Sequence, residues 1–495
     1  MLIIRSPSVS ESSLRCFCMK KYGIIIVGTG SAMNIANVAV QERPDLKIAI
    51  IDKDEPGGIC LTRGCIPSKI LLYPAELIRT IERADKFGIT ANLKKPDFQK
   101  IMQRMRNLIH EDVNRIKQGL THSQNVDYYS EAAEFTAPYT LRVGKDTLTS
   151  KMIFLCTGSK PIIPPIEGLE KIPFLTSDTI LKLDRLPRSV VIIGGGYIAA
   201  EYGYFLAAMG SKVTIIGRNP RFIPEEEPEI SSLAKRELQK HLNIITNHEV
   251  RAVDALADGQ KKVVAVNRES GKETDVVTDE ILVASGRGPN TDILHPEKSG
   301  IKTDEKGWIV VNEYLETSQP GVWALGDADG KYLFKHVANY EASVVYFNAI
   351  QNKKVKVDYH AVPHAVFTYP EIASVGYGEK EAIDKYGESN LLIGIQRYED
   401  TAKGEAMGLK DFFAKVIVES TTMKILGAHI IGPYASVLIQ EIVNLMYTHT
   451  QSAEPLMTAM HIHPALSEVV ARAFGSLVPP KEYHHIIEHL GFSTI

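Results

Sequence analysis

The chain has 495 residues, 44% hydrophobic and 23% charged, enough for about three domains and too well balanced for wholesale disorder. Its 56 Lys and Arg against 59 Asp and Glu give a net charge of -3 with no long basic run, so neither nucleic acid nor an anionic membrane surface is an expected partner. No run approaches the roughly 18 consecutive apolar residues of a membrane span, and the expected location is the cytoplasm.

Residues 1–19 are Ser-rich and aperiodic, and read as a disordered leader, with Met19 a candidate start. From Tyr22 the pattern is a strand over 23–27, a glycine turn, a helix to about Gln41 and a strand over 47–51, the opening of a βαβ unit. The same grammar returns as a strand over 189–193, three glycines, a helix to about Met209 and a strand over 212–216. Between the two units, Pro161, Pro164 and Pro165 break an apolar run and mark a linker. The strand-then-glycine segment 281–286 is expected to return the chain to the first domain. After about Ala361 come strand-rich pieces at 365–368, 413–418 and 424–431, then helical patterns at 434–449 and 465–474, which together read as an α+β domain.

In the first turn, Gly28 permits the tight bend, Gly30 lets backbone approach a pyrophosphate at a helix N-terminus, and Asp52 can accept from a ribose hydroxyl. Its third small position is Met33. The second turn, Gly194-Gly195-Gly196-Tyr197-Ile198-Ala199, meets the G-x-G-x-x-A form completely. The next strand ends in Gly217-Arg218 where an NAD site would place a carboxylate. Arg218, with Arg221 nearby, suits a 2′-phosphate, so NADPH is expected over NADH.

Five cysteines are too few for a disulfide framework. Cys16 and Cys18 lie in the leader and Cys156 in an apolar run, whereas Cys60 and Cys65 form a close pair among glycines. Cα atoms five apart in a regular helix are about 8 to 9 Å from each other, beyond the roughly 7 Å reach of a disulfide. Bridging this pair requires a distorted turn and would give an easily reduced, redox-active disulfide. Zinc is the competing reading, but no second close Cys or Cys/His pair completes four ligands. Near the C-terminus, Glu468 can orient His463 for proton transfer during thiol-disulfide exchange. The tail histidines His484, His485 and His489 have metal-compatible spacing but read as part of a solvated terminal helix.

Together these segments resemble the class I pyridine nucleotide-disulfide oxidoreductases, the flavoprotein family of dihydrolipoamide dehydrogenase, glutathione reductase and mycothione reductase, from about residue 20 to 475. The similarity rests on GGICLTRGCIPSK, GGGYIAAE, LCTGSKPIIPPIEG, ALGDADG and HIHPALSE. GTGSAMNI, LFKHVANYEA and HPALSEVVARAF are most similar to mycothione reductases, whereas IPSK and LSE also occur in dihydrolipoamide dehydrogenases. Thr62 and Arg63 depart from the commoner motif; Arg63 is a candidate for lowering the thiolate pKa or touching an anionic disulfide.

The resemblance implies an α/β fold with two Rossmann-like dinucleotide-binding domains and a C-terminal α+β dimerisation domain. The implied division is an FAD-binding domain over 20–160, an NAD(P)-binding domain over 161–281, a second FAD-binding part over 282–360 and a dimerisation domain over 361–495. It also implies FAD on Gly28, Gly30, Asp52, Gly158 and Asp327, with Lys69 beside the flavin and paired to Glu201. NAD(P) falls to Gly194, Gly196, Tyr197, Ala199, Arg218 and Gly286. Cys60 becomes the exchanging thiolate, Cys65 receives electrons from the flavin, and His463 with Glu468 serves the active site of a partner subunit in a homodimer. The substrate would be a small disulfide or dithiol, with no resident metal. The alternative is dihydrolipoyl dehydrogenase chemistry with NAD+ and a lipoyl-bearing complex as partner.

Overall fold

The computed structural model describes residues 19–491, so Cys16 and Cys18 lie outside the described residues. The chain forms two compact units, one of residues 19–58, 116–158 and 289–357, the other of residues 59–115, 159–288 and 358–491. Among the described residues no helix is long and apolar enough to cross a membrane.

The first unit is built on a five-stranded parallel sheet in the order Val322–Ala324, Ile153–Leu155, Ile24–Val27, Ile48–Ile51, Val126–Tyr129. Its first four strands are apolar on both faces, as a covered parallel sheet demands, whereas the edge strand Val126–Tyr129 carries Asp127 and is only half-buried. Side chains alternate between two cores: Ile25, Val27, Ala49 and Ile51 face one, with Phe135, Leu141 and Leu148 from a second, four-stranded sheet. Ile24, Ile26, Ile48 and Ile50 face the other, against Ile35, Ala36 and Ala39 of the Met33–Glu42 helix and Ala342 and Val345 of the Lys335–Ala349 helix. The chain therefore returns to its first sheet after residue 289, through the Val322–Ala324 strand.

The second unit contains another five-stranded parallel sheet, ordered Leu175–Thr176, Glu280–Val283, Ser189–Ile193, Lys212–Ile216, Asn243–Ile245. A three-stranded antiparallel sheet, His248–Ala255, Lys261–Asn267 and Glu273–Thr278, packs Val250, Val253 and Val263 against Val191, Ile193 and Val283. The C-terminal part is a five-stranded antiparallel sheet with the helices Ala435–Met446, Ser467–Gly475 and Pro480–His489. The fold is thus α/β, with two Rossmann-like sheets and a C-terminal α+β part.

Two local readings change. The strand expected over 365–368 spans His364–Val366, and the N–H of the following Phe367 donates to Glu201. The tail helix expected to be solvated is tethered: Tyr483 and Ile487, four residues apart on one face, are fully buried. Its histidines contact protein groups, His484 Nε2 meeting Glu379 Oε1 and His485 stacking edge-on with His489.

Candidate active site

The first glycine turn lies at the C-terminal end of the Ile24–Val27 strand. Gly28 has φ +105°, and a Cβ there would stand 2.1 Å from the Cys156 carbonyl oxygen, so only glycine fits. At Gly30, by contrast, no neighbouring group lies within 4 Å of a Cβ position, which leaves the approach to the Met33–Glu42 helix N-terminus clear. That helix has no acidic residue in its first turn, so the positive end of its dipole favours an anion there. Met33, in the third small position, packs into the helix-side core. Asp52 follows the adjacent strand and accepts from the N–H groups of Thr29 and Asp54 at 2.9 and 3.0 Å. Burial pushes its carboxyl up, against the lowering effect of these hydrogen bonds.

Two further segments complete this end of the sheet. Asp327 sits in a single helical turn, Gly326–Ala328, whose first N–H donates at 2.6 Å to Glu341, a fully buried carboxylate absent from the sequence reading. The neighbouring Asp329 carboxyl is pushed up to about 6 by burial, with Asp327 adding repulsion. Lys335 donates to Ser31 Oγ and Ser31 to Asn339, both at 2.9 Å, so the Lys335–Ala349 helix is bonded to the first glycine turn. Gly158, with φ +68°, ends the part of this unit that precedes the second parallel sheet. An open helix N-terminus, a strand-end carboxylate and a clear second glycine fit the pyrophosphate and ribose of a dinucleotide such as FAD.

The second turn repeats this construction. Gly194 has φ +134° with the Ala284 carbonyl 2.1 Å from a Cβ position, Gly196 is open, and the Tyr197–Met209 helix starts immediately after. Ala199 is buried and Tyr197 exposed. Gly286, with φ +114°, accepts from Ile162 N–H at 3.0 Å. Arg218 is exposed just past the Lys212–Ile216 strand, and the Arg221 loop is fastened to the turn by Ile223 N–H donating to the Gly195 carbonyl at 2.8 Å.

Cys60 lies in the Gly58–Arg63 helix and Cys65 opens the Cys65–Glu82 helix; Gly64 separates the two. The regular helix that would hold these cysteines apart is therefore interrupted between them. A Cβ on Gly64 would come within 2.9 Å of the Ile59 carbonyl, so the break depends on glycine. Cys60 is half-buried, and Cys65 is exposed at a helix N-terminus. Burial pushes the Cys156 thiol up, which holds it protonated. Arg63 pairs with Asp178 at 3.2 Å, an interaction that ties the Gly58–Arg63 helix to the Asp178 turn.

One turn on from Cys65, Lys69 Nζ donates to both carboxylate oxygens of Glu201, at 3.0 and 2.8 Å, and stands 4.7 Å from the Phe367 ring centre. Phe367 N–H adds a 3.0 Å bond to Glu201 Oε1, a backbone contribution no side-chain motif announces. In the C-terminal part, His463 Nδ1 stands 3.1 Å from each oxygen of Glu468. Arg472 donates to Glu468 at 3.0 Å and Ala465 N–H at 3.3 Å. The hydrogen bond from His463 leads in holding the Glu468 carboxyl below its ordinary value. With Nδ1 directed at the carboxylate, Nε2 is the atom left to exchange a proton.

The family model described as pyridine nucleotide-disulphide oxidoreductase matches residues 22–342, and that of its dimerisation domain matches residues 362–474. Similar proteins include mycothione reductase of Mycobacterium tuberculosis, 34% identical over 93% of this chain and 100% of that one. Dihydrolipoyl dehydrogenase of Synechocystis sp. is 33% identical, with 92% and 99% covered. Among solved structures, the HOCl-induced flavoprotein disulfide reductase RclA from Escherichia coli superposes with a TM-score of 0.81 at 27% identity, over 92% of this chain and 99% of that one. The chain belongs to the pyridine nucleotide-disulphide oxidoreductase family and is a flavoprotein enzyme of that class.

Proposed function

We propose that this protein uses NADPH to reduce a low-molecular-weight disulfide through a Cys60–Cys65 redox pair. The observation that carries the reading is the placement of the two cysteines on either side of a glycine break, with one thiol at a helix N-terminus. When bound, FAD would supply two-electron redox chemistry between the nicotinamide and the Cys60–Cys65 disulfide. Gly28, Gly30, Asp52, Gly158 and Asp327 would hold it, while Gly194, Gly196, Tyr197, Ala199 and Gly286 would hold the nicotinamide dinucleotide. Arg218 takes the 2′-phosphate, since the strand end offers no carboxylate to a 2′-hydroxyl. Lys69 supplies positive charge near the flavin, and Glu201 satisfies its ammonium group.

In the oxidative half-reaction the Cys60 thiolate attacks one sulfur of the substrate disulfide, forming a mixed disulfide and expelling the first thiolate. His463 gives that thiolate a proton, and Glu468 stabilises the imidazolium. Cys65 then attacks the Cys60 sulfur, releasing the second thiol and restoring the Cys60–Cys65 disulfide. The sum is NADPH, one proton and a disulfide giving NADP+ and two thiols.

The reading includes a homodimer in which His463 and Glu468 of one chain serve the cysteine pair of the other. Its support is the dimerisation-domain match together with Met460 and Ile462, 102% and 79% exposed beside His463, apolar side chains that a second copy would cover. The test is steady-state turnover with a panel of small disulfides, comparing wild type with Cys60→Ser and NADPH with NADH. Disulfide reduction that is faster with NADPH and lost in the variant supports the proposal. Turnover unchanged in the variant contradicts it, and efficient dihydrolipoamide oxidation with NAD+ as the main activity favours the dihydrolipoyl dehydrogenase alternative.

A further inference from the structure

The antiparallel sheet of the second unit carries an arginine for which neither the two glycine fingerprints nor the cysteine chemistry gives a role. Arg268 opens the turn between the Lys261–Asn267 and Glu273–Thr278 strands, far in sequence from the glycine turn at 194–196. Its guanidinium Nη1 donates at 3.1 Å to the backbone carbonyl of Arg218. Its own N–H donates to the Asn247 carbonyl at 2.9 Å, and Asn247 N–H to the Asn219 carbonyl at 2.8 Å. His248 N–H to Gly217 O, 3.0 Å, closes the same stitch. The turn itself is fixed by Asn267 Oδ1, which accepts from the N–H groups of Glu269 and Ser270 at 3.1 and 2.8 Å. Arg268 is thus held at both its backbone and its side chain against the loop that carries Arg218.

We propose that Arg268 is a specificity-determining residue that, with Arg218 and Arg221, forms a three-arginine cradle for a 2′-phosphate. The inference rests on reading the second glycine turn as an NADPH site. A guanidinium has five N–H donors, and one bond to the Arg218 carbonyl leaves the rest of the fork for phosphate oxygens. Arg218 and Arg268 are exposed and Arg221 is half-buried, and among the described residues none of the three makes an ion pair with a carboxylate. The Arg268 guanidinium lies against the backbone of Arg218 just past the end of a parallel strand, with Arg221 three residues on in the same loop. A phosphate dianion matches that arrangement, whereas a 2′-hydroxyl would gain little from it.

The test measures kcat/KM for NADPH and for NADH with the holoenzyme, in wild type and in Arg268→Ala, Arg268→Lys and Arg218→Ala, alongside inhibition by 2′,5′-ADP and 5′-AMP. The expected result is a roughly tenfold fall in the NADPH-to-NADH ratio for Arg268→Ala, with a matching loss of 2′,5′-ADP inhibition and unchanged 5′-AMP inhibition. The lysine variant should recover part of the ratio. Equal loss for both dinucleotides would assign Arg268 to loop structure alone and overturn the proposal, as would no change. If Arg218→Ala collapses the ratio while Arg268→Ala does not, this inference fails and the NADPH reading stands. A wild type that prefers NADH overturns both.

Discussion

Lys415 and Glu229 meet at 2.6 Å inside the second unit, where neither side chain has more than 2% of its surface exposed. Glu227 and Glu379 approach the same ammonium at 2.5 and 2.7 Å, and Tyr483 OH donates to Glu229. One lysine of the antiparallel sheet therefore gathers carboxylates from two other segments and, through Tyr483, fastens the terminal helix. The three carboxylates fall within reach of a common cation, and Lys415 is that cation.

Lys415→Met should cost about 3 to 5 kcal/mol, because it leaves buried carboxylates without a counter-charge. Urea unfolding of variant and wild type checks this. A loss below about 1 kcal/mol would mean that the network is replaceable by apolar packing.

The pH dependence should change sign with that substitution. In the native protein burial pushes the Glu227 carboxyl up, but the Lys415 charge, together with His429 and the hydrogen bonds from Lys415 and the Glu379 N–H, brings the net direction below the ordinary 4.5. A depressed carboxylate stabilises the fold above that pH, and the contribution disappears as pH falls through the depressed value. Without Lys415, burial dominates and raises the carboxyls, so acidification then relieves the penalty. Urea midpoints at about pH 7 and about pH 5 should fall or hold on acidification for wild type and rise for Lys415→Met.

Gly30→Val and Gly196→Val should separate the two dinucleotide sites. Both positions are open to a side chain and neither has positive φ, so the fold should survive with melting temperatures within a few degrees of wild type. Gly30→Val protein should purify without bound flavin. Gly196→Val protein should be yellow yet lose reduction by dinucleotide. Retention of flavin in the first variant would remove the assignment of the first turn.

Replacement of His463 by Gln should lower disulfide turnover by about 10² to 10⁴-fold, the range of a lost general acid-base. Glu468→Gln should give a smaller loss, because the amide still orients the ring but no longer stabilises its charged form. Equal losses in the two variants would show that Glu468 does more than support His463. Stopped-flow separation of the half-reactions should place both defects after reduction of the cysteine pair.

Much of this architecture is legible in the sequence, because glycine at a positive φ and apolar parallel strands leave strong marks. The two strand-turn-helix units stand where the sequence places them, at Gly28 and Gly194. Lys69 and Glu201 are 132 positions apart, and only the family resemblance joins them before the structure does. Phe367, which supports Glu201 through its backbone, has no side-chain signature at all. Lys415 left a hint, a single cation inside the otherwise apolar strand Phe413–Glu419, but its partners come from distant segments that periodicity cannot pair. The spacing of Tyr483 and Ile487 likewise announced a packed face, which the histidines and glutamates of that helix outweighed in the sequence reading.

The central claim is that electrons from the dinucleotide reach a disulfide formed by Cys60 and Cys65. Its most direct measurement is an anaerobic titration of the holoprotein with NADPH, counting the thiols that react with a chromogenic disulfide after each addition. The account predicts two new thiols per chain for the first equivalent in wild type and none in Cys60→Ser or Cys65→Ser. Dinucleotide consumed in wild type without any new thiol would contradict it.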